Sequence, residues 1–348
     1  MEKLKIGVIF GGISTEHDVS IVSGMAVMKN LDKNKYEIYP IYISNQGEWY
    51  KYEYTEKEFK VGDKVEVKDK IENICEYLKK LYVVFPVLHG LGGEDGSLQG
   101  MLELLKVPYV GSKILGSSIC MDKAYAKIIF EKANIPQARY VYIRKNKENY
   151  IYVDEDFSEE NHNIFEITKK ITEELEFPMF IKPSNSGSSV GINKANNITE
   201  LKEYIEYAAQ FDNKILIEEN INGREIECAV LGNEEVEASI LGEILAADKF
   251  YSFDAKYNNQ ESKTIMPADL PENLTNKVRE LAKKAYKAAD CKGLARVDFF
   301  VDDKKDKIYI NEINTLPGFT QISMYPKLWE KTGLKYADLL DRLIDLAI

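Results

Sequence analysis

Residues 293–324 constrain this chain more than any other stretch. Arg296-Val-Asp-Phe-Phe-Val301 and Ile308-Tyr-Ile-Asn-Glu-Ile-Asn314 are apolar, β-rich runs around the charged segment Asp302-Asp-Lys-Lys-Asp306. Two such runs about a short polar turn predict an antiparallel hairpin. Side chains alternate faces along a strand, so Arg296 shares a face with Asp298, and Glu312 with Asn314. A turn centred near Lys305 sets Asp298 opposite Glu312 and Arg296 opposite Asn314. A one-residue slip would break that arrangement. In that register two carboxylates and an amide oxygen suit a hard divalent cation, above all Mg²⁺ sharing its shell with phosphate. Arg296 suits an anion beside it. A solvated hairpin face with an internal ion pair would use the same residues. The tail, Thr315-Leu-Pro-Gly318, favours a nucleotide–metal site, because its glycine lets a backbone N–H approach a ligand closely.

With 348 residues, 45% hydrophobic and 30% charged, the chain suits two or three domains. A net charge of −11 gives no general attraction to nucleic acid or to an anionic membrane. Any phosphate must then be held by a few placed cations. Cys75, Cys120, Cys228 and Cys291 are far apart with no C-x-x-C pair, which predicts buried free thiols in a reducing cytosol. No charged-then-apolar leader and no apolar run near 18 residues is visible, so a soluble, unexported, cytoplasmic protein is expected.

The first third reads as doubly wound α/β: strand 5–10, glycine turn 11–18, then helix 19–30 with Asp18 as candidate cap. Glu16 falls at the carboxyl end of that strand. It either holds an ammonium or compensates a helix N-terminus. Residues 36–43 form a second strand, 61–80 read as peripheral, and 81–89 as a strand buried in a parallel sheet. The glycine loop His89–Gly96 then opens a helix over 97–105, and a short strand over 107–111 closes the unit. A lone histidine is usually structural, but His89 stands beside two glycine loops at one sheet edge. Residues 117–132 read as one helix. Lys123 near its start opposes the dipole, which implies an anionic partner off the helix.

Residues 145–170 read as a polar surface insertion. Strand 177–183 carries Lys182 and leads into Ser184-Asn-Ser-Gly-Ser-Ser-Val-Gly191. That loop either folds over phosphates with its backbone N–H groups or is a flexible hairpin loop. It is not a Walker P-loop. Strand 214–219 ends in Glu218 and Glu219, fit to lend backbone groups to an adenine and a carboxylate to a ribose. Glu225 opens the next strand, and residues 248–263 read as a polar, aromatic-bearing loop.

The ordered set Met121-Asp-Lys123, Lys182-Pro, Ser186-Gly-Ser-Ser-Val-Gly191, Ile217-Glu-Glu219, Gly223-Arg-Glu225, Arg296-Val-Asp298, Asn311-Glu-Ile-Asn314 and Thr315-Leu-Pro-Gly318 resembles an ATP-grasp enzyme. Gly11-Gly-x-Ser-x-Glu16…Val-Ser20 and Phe85-Pro-x-Leu-His-Gly-x-x-Gly-Glu-Asp-Gly96 narrow the resemblance to the D-alanine–D-alanine ligases. It covers nearly the whole chain.

The resemblance implies an amino-terminal parallel-sheet α/β substrate domain (1–121), then an ATP-grasp clamp of two α+β subdomains (122–215 and 216–348). It implies ATP and two Mg²⁺ ions, with Mn²⁺ as a substitute, and a D-alanyl phosphate intermediate on the way to a cell-wall precursor. Lys123 and Lys182 would hold ATP phosphates, Glu218 and Glu219 flank the purine, and Glu225 reach the ribose. Asp298, Glu312 and Asn314 would bind the metal. Glu16 would take the first ammonium, in a hydrogen-bonded set with Ser188 and Tyr257. Arg296 and the Gly318 N–H would meet the developing oxyanion. Ser323 and Met324 would line the second amino-acid subsite, and His89 would sit near the first. Lys256 would meet the transferred phosphate from a lid over 248–263. Family analogy also implies a homodimer. Thr320-Gln-Ile-Ser323 departs from the family's Thr-Ser-His-Ser, which opens D-serine, and more loosely D-lactate, as second substrate. A non-catalytic nucleotide-binding relative would have lost a metal ligand or Arg296, and neither is lost.

Overall fold

The computed structural model describes residues 2–188, 190–245 and 263–348. Tyr257 and Lys256, and nearly all of the expected lid, lie outside them.

Within the described residues there are three sheets. The first comprises β1 (Leu4–Gly11), β2 (Tyr36–Ile43), β3 (Trp49–Lys51), β4 (Asp69–Lys70) and β5 (Val83–Pro86) in the order β4-β3-β2-β1-β5. β1 runs parallel to β2 and to β5. The parallel centre follows from its near-continuous apolar strands, buried on both faces. Residues 107–111 contribute only an isolated bridge, Val84 to Tyr109, where a strand was expected. The glycine loops at 11–16 and 89–96 open helix α1 (His17–Asn30) and the helix Ser97–Leu105 at the carboxyl edge of this sheet. The cap position of α1 is Glu16 rather than Asp18, which sits in the first turn.

The second sheet is antiparallel: β6 (Tyr140–Asn146), β7 (Asn149–Val153), β8 (Glu159–His162), β9 (Met179–Pro183), β10 (Asn193–Ala195) and β11 (Lys214–Glu219), in the order β10-β9-β11-β6-β7-β8. The segment 145–170 is therefore part of a sheet and its flanking helix Ile164–Glu174, not a surface insertion. Tyr150 and Tyr152 alternate into its core. The expected single helix 117–132 is two, Ile114–Met121 and Lys123–Lys132. Extended Asp122 divides them and caps the second by accepting from the Ala124 and Tyr125 N–H groups.

The third sheet is β12 (Arg224–Gly232), β13 (Val236–Leu245), β14 (Lys263–Ile265), β15 (Leu294–Asp302) and β16 (Lys307–Asn314), in the order β14-β13-β12-β15-β16. Its hairpin β15–β16 pairs Asp298 with Glu312 and Arg296 with Asn314. Nearer the turn, however, Phe299 pairs with Ile310 and Asp302 with Lys307, so Asn311 is an extra residue, a β-bulge. The bulge reverses parity. Ile308 and Ile310 face the core, as does Ile313, while Glu312 and Asn314 turn to the other side.

The first and third sheets share one apolar core, in which Phe10 and Phe85 meet Phe319, Tyr325 and Trp329. The second sheet has a core of its own. Cys120, Cys228 and Cys291 are buried free thiols, and Cys75 is partly exposed.

Candidate active site

A cleft of about 1410 Å³ lies where the three sheets meet. Every described candidate lines it: Glu16, His89, Lys123, Lys182, Ser188, Glu218, Glu219, Glu225, Arg296, Asp298, Glu312, Asn314, Gly318, Ser323 and Met324.

Its floor is a row of acids. β12 pairs with β15 so that Glu227 lies opposite Asp298, and β16 brings Glu312 against the far side of Asp298. Carboxylates directly opposite one another repel, so such a row needs cations. Arg296 supplies one: its Nε and Nη2 donate to Asp298 at 2.8 and 2.7 Å, and Nε lies 3.2 Å from Glu227. Burial opposes the guanidinium charge, but Asp298 and Glu227 outweigh it and raise the pKa. Lys123 supplies another, with its Nζ 3.6 Å from Glu312 and donating to the Ser186 carbonyl at 2.7 Å. This is the anionic partner off the helix that the sequence implied. Asn314 donates to Asp298 at 3.0 Å.

The donors of this row are all oxygens, which fits a hard cation such as Mg²⁺. Among the described residues no group of three His, Cys, Asp or Glu side chains could hold an ion alone. The fit is therefore to a metal that takes the rest of its shell from phosphate oxygens and water.

A second charged group lies under the far end of the cleft. Glu218 pairs with Lys127 at 2.6 Å and with Lys182. Burial would raise the Glu218 pKa, but the two ammonium groups outweigh it and hold it at about 2. Lys127 itself is lowered, because burial costs it more than a shared carboxylate returns. A carboxylate whose folded pKa is depressed contributes stability above its unfolded value, lost as pH falls through the folded one. The window here runs from about 4.5 to about 2. Glu218→Gln should be less stable at neutral pH, where Lys127 loses its anion. Its stability should also change less across that acid window than the parent's. Denaturant midpoints measured through the window test this; parallel curves would remove Glu218 as the titrating group. Glu219 is held by Arg139, accepting from its N–H and Nε at 2.8 and 3.0 Å.

At the other end, Ser188 in the 184–191 loop donates to Glu16. That approach explains two glycines. A Cβ at Gly187 or at Gly90 would lie 2.6 or 2.7 Å from the Glu16 carboxylate. Ser323 accepts from the Thr320 N–H at 3.0 Å, and its Oγ would lie 2.9 Å from a Cβ at Gly318. Met324 Cε packs on Gly242, the neighbour of Glu227 in the acid row. His89 has both ring nitrogens engaged, at 2.9 Å to the Leu316 carbonyl and 3.1 Å to Ser23 Oγ.

Sequence reading missed Glu227, Lys127 and Glu94. Glu227 stands two residues beyond Glu225 on one strand, and Lys127 one helical turn beyond Lys123, so periodicity offered a signal for each.

Residues 129–345 match the family model described as D-ala D-ala ligase C-terminus, and residues 5–112 match D-ala D-ala ligase N-terminus. The chain belongs to the D-alanine–D-alanine ligase family. A D-alanine–D-alanine ligase of Acetivibrio thermocellus is 48% identical, with 100% of this chain and 96% of that protein covered. One from Clostridium acetobutylicum is 48% identical over 99% of this chain and 98% of its own length. Among solved structures, the VanG D-Ala:D-Ser ligase of Enterococcus faecalis superposes with a TM-score of 0.85 at 37% identity, covering 100% of both chains. The D-alanine–D-alanine ligase of Coxiella burnetii gives 0.81 at 34%, over 100% of this chain and 94% of that one. The chain, with its parallel-centred sheet beside two antiparallel ones, thus has the ATP-grasp fold of these ligases.

Proposed function

We propose that this chain joins two D-alanines at the expense of ATP, through a D-alanyl phosphate, to make a precursor of peptidoglycan. The observation that carries the reading is the acid row Glu227–Asp298–Glu312, with Arg296 and Lys123 set against it, in the same cleft as Glu16 and the 184–191 loop.

A carboxylate is a poor electrophile, so the γ-phosphoryl group is transferred to it and ADP leaves. Lys123 and Lys182 hold the phosphates, and the backbone of the 184–191 loop covers them. Glu218 and Glu219 flank the purine and Glu225 reaches the ribose. Glu16 takes the ammonium of the first D-alanine. The amine of the second, having lost a proton, attacks the acyl carbon. Arg296 and the Gly318 N–H meet the oxyanion as it forms, and phosphate departs as the amide closes. Ser323 and Met324 line the second subsite. Asp298, Glu312 and Asn314 would hold two Mg²⁺ ions, replaceable by Mn²⁺, which neutralise phosphate charge when bound. A cytoplasmic homodimer is in keeping with this reading.

D-Serine is the alternative second substrate. The likeness to a D-Ala:D-Ser ligase and the Thr320-Gln-Ile-Ser323 departure, with Ile322 71% exposed, favour keeping it. ADP release with D-alanine and not with L-alanine is expected. Equal rates with both enantiomers, or none with either, would sink the reading. Product analysis from a mixture of D-alanine and D-serine decides the second substrate.

A further inference from the structure

The segment Leu316–Phe319 carries the Gly318 N–H, and its backbone is held on both sides by side chains of the first sheet's loops and helix. The Leu316 N–H donates to Glu94 Oε1 at 3.0 Å, and its carbonyl lies 2.9 Å from His89 Nδ1. The Phe319 N–H donates to Ser23 Oγ at 3.3 Å. Because the Leu316 carbonyl can only accept, Nδ1 carries the proton, and Nε2 accepts from Ser23 Oγ at 3.1 Å. Burial, which lowers the His89 pKa, keeps that neutral tautomer. The other Glu94 oxygen accepts from the Gly90 N–H at 2.7 Å, and Ser14 donates to the His89 carbonyl at 2.6 Å. Gly90 in turn lies against the Glu16 carboxylate. One short chain of hydrogen bonds thus runs from the Glu16 loop to the residues flanking Gly318.

We propose that Glu94, His89 and Ser23 are positioning residues that fix the span between the Glu16 carboxylate and the Gly318 N–H. That span is the ammonium-to-carboxyl spacing of the first amino acid. The inference rests on the ligase reading above for its substrate, but the brace itself is a property of the free protein. Glu94 is its centre, since the two oxygens of its carboxyl group each accept from a different loop, in a site where burial and the neighbouring Glu16 push its pKa up to about 8. A glutamine there keeps the shape and offers one acceptor to two N–H donors.

Glu94→Gln is expected to lower kcat for ADP release by roughly 10- to 100-fold, the cost of a misplaced near-attack geometry. KM for ATP should stay within about twofold and the melting temperature near the parent's. Ser23→Ala should act in the same direction, and the double variant should lose little more than Glu94→Gln alone, because both loosen one segment. Amide exchange at Leu316 and Phe319, read by mass spectrometry on the free protein, should quicken in both variants. Unchanged exchange overturns the brace whether or not the protein turns over D-alanine. Quickened exchange with kcat intact, in a parent that does turn over, overturns the positioning role. A parent that releases no ADP sinks the ligase reading, and exchange then decides the brace alone. A fall in kcat with a proportionate rise in KM for ATP and a lowered melting temperature would make these residues merely structural.

Discussion

Arg296→Lys is expected to lower kcat by about 10²–10³, the usual loss when one donor to a developing oxyanion is removed. Lysine keeps the charge but not the fork. The guanidinium now reaches Asp298 with two nitrogens and Glu227 with one of them, so its plane is fixed before substrate arrives. An ammonium can answer one of these acids at a time, and it loses the planar grip. Because the charge of the acid row stays compensated, the melting temperature and KM for ATP should change little. Steady-state ADP release beside a thermal melt separates these outcomes. A Lys variant within about threefold of the parent would mean that positive charge, and not the placed guanidinium, is what the reaction needs.

Glu312→Gln should be as damaging for a different reason, with loss of turnover on the order of 10³, the scale of removing Lewis-acid stabilisation worth several kcal/mol. It removes one of the expected metal ligands and also one charge from a row of like charges. In the absence of magnesium its melting temperature should stay near the parent's, because relief of the opposed carboxylates offsets the loss of the Lys123–Glu312 pair. Mn²⁺ binding in the presence of a non-hydrolysable ATP analogue, followed by electron paramagnetic resonance, should weaken in step with kcat. An unchanged kcat, or unchanged Mn²⁺ affinity, would refute the assignment of this residue to the metal.

Much of this site could be read before the fold was seen, because chemistry-bearing residues fell at the ends of recognisable strands. Glu16, His89, Lys182, Glu218 and the β15–β16 hairpin were all placed by periodicity and turn residues. What escaped depended on pairing between distant strands, or on residues whose local pattern was ordinary. Glu227 lies between Ile226 and Cys228 as any outward residue of a strand would, and only the pairing of β12 with β15 brings it to Asp298. Glu94 reads as one more polar residue of a glycine loop, and its bond to Leu316 joins positions 222 residues apart. The break at Asp122 was legible, since an aspartate two residues ahead of Ala124 is a helix-starting signal. The strand at 149–153 was not, because polar neighbours on either side obscured its alternating tyrosines, Tyr150 and Tyr152.

The β15–β16 register was anticipated correctly, but from a turn placed half a residue away. Asn311 makes up the difference. That residue has a consequence for how much the hairpin tolerates changes in length. A chain one residue shorter on the β16 side can give up its bulge and still set Glu312 against Asp298 with the same faces presented. A chain one residue longer has no such reserve, and must spill the surplus into the turn or turn the ligands over. Slack in this hairpin runs in one direction only.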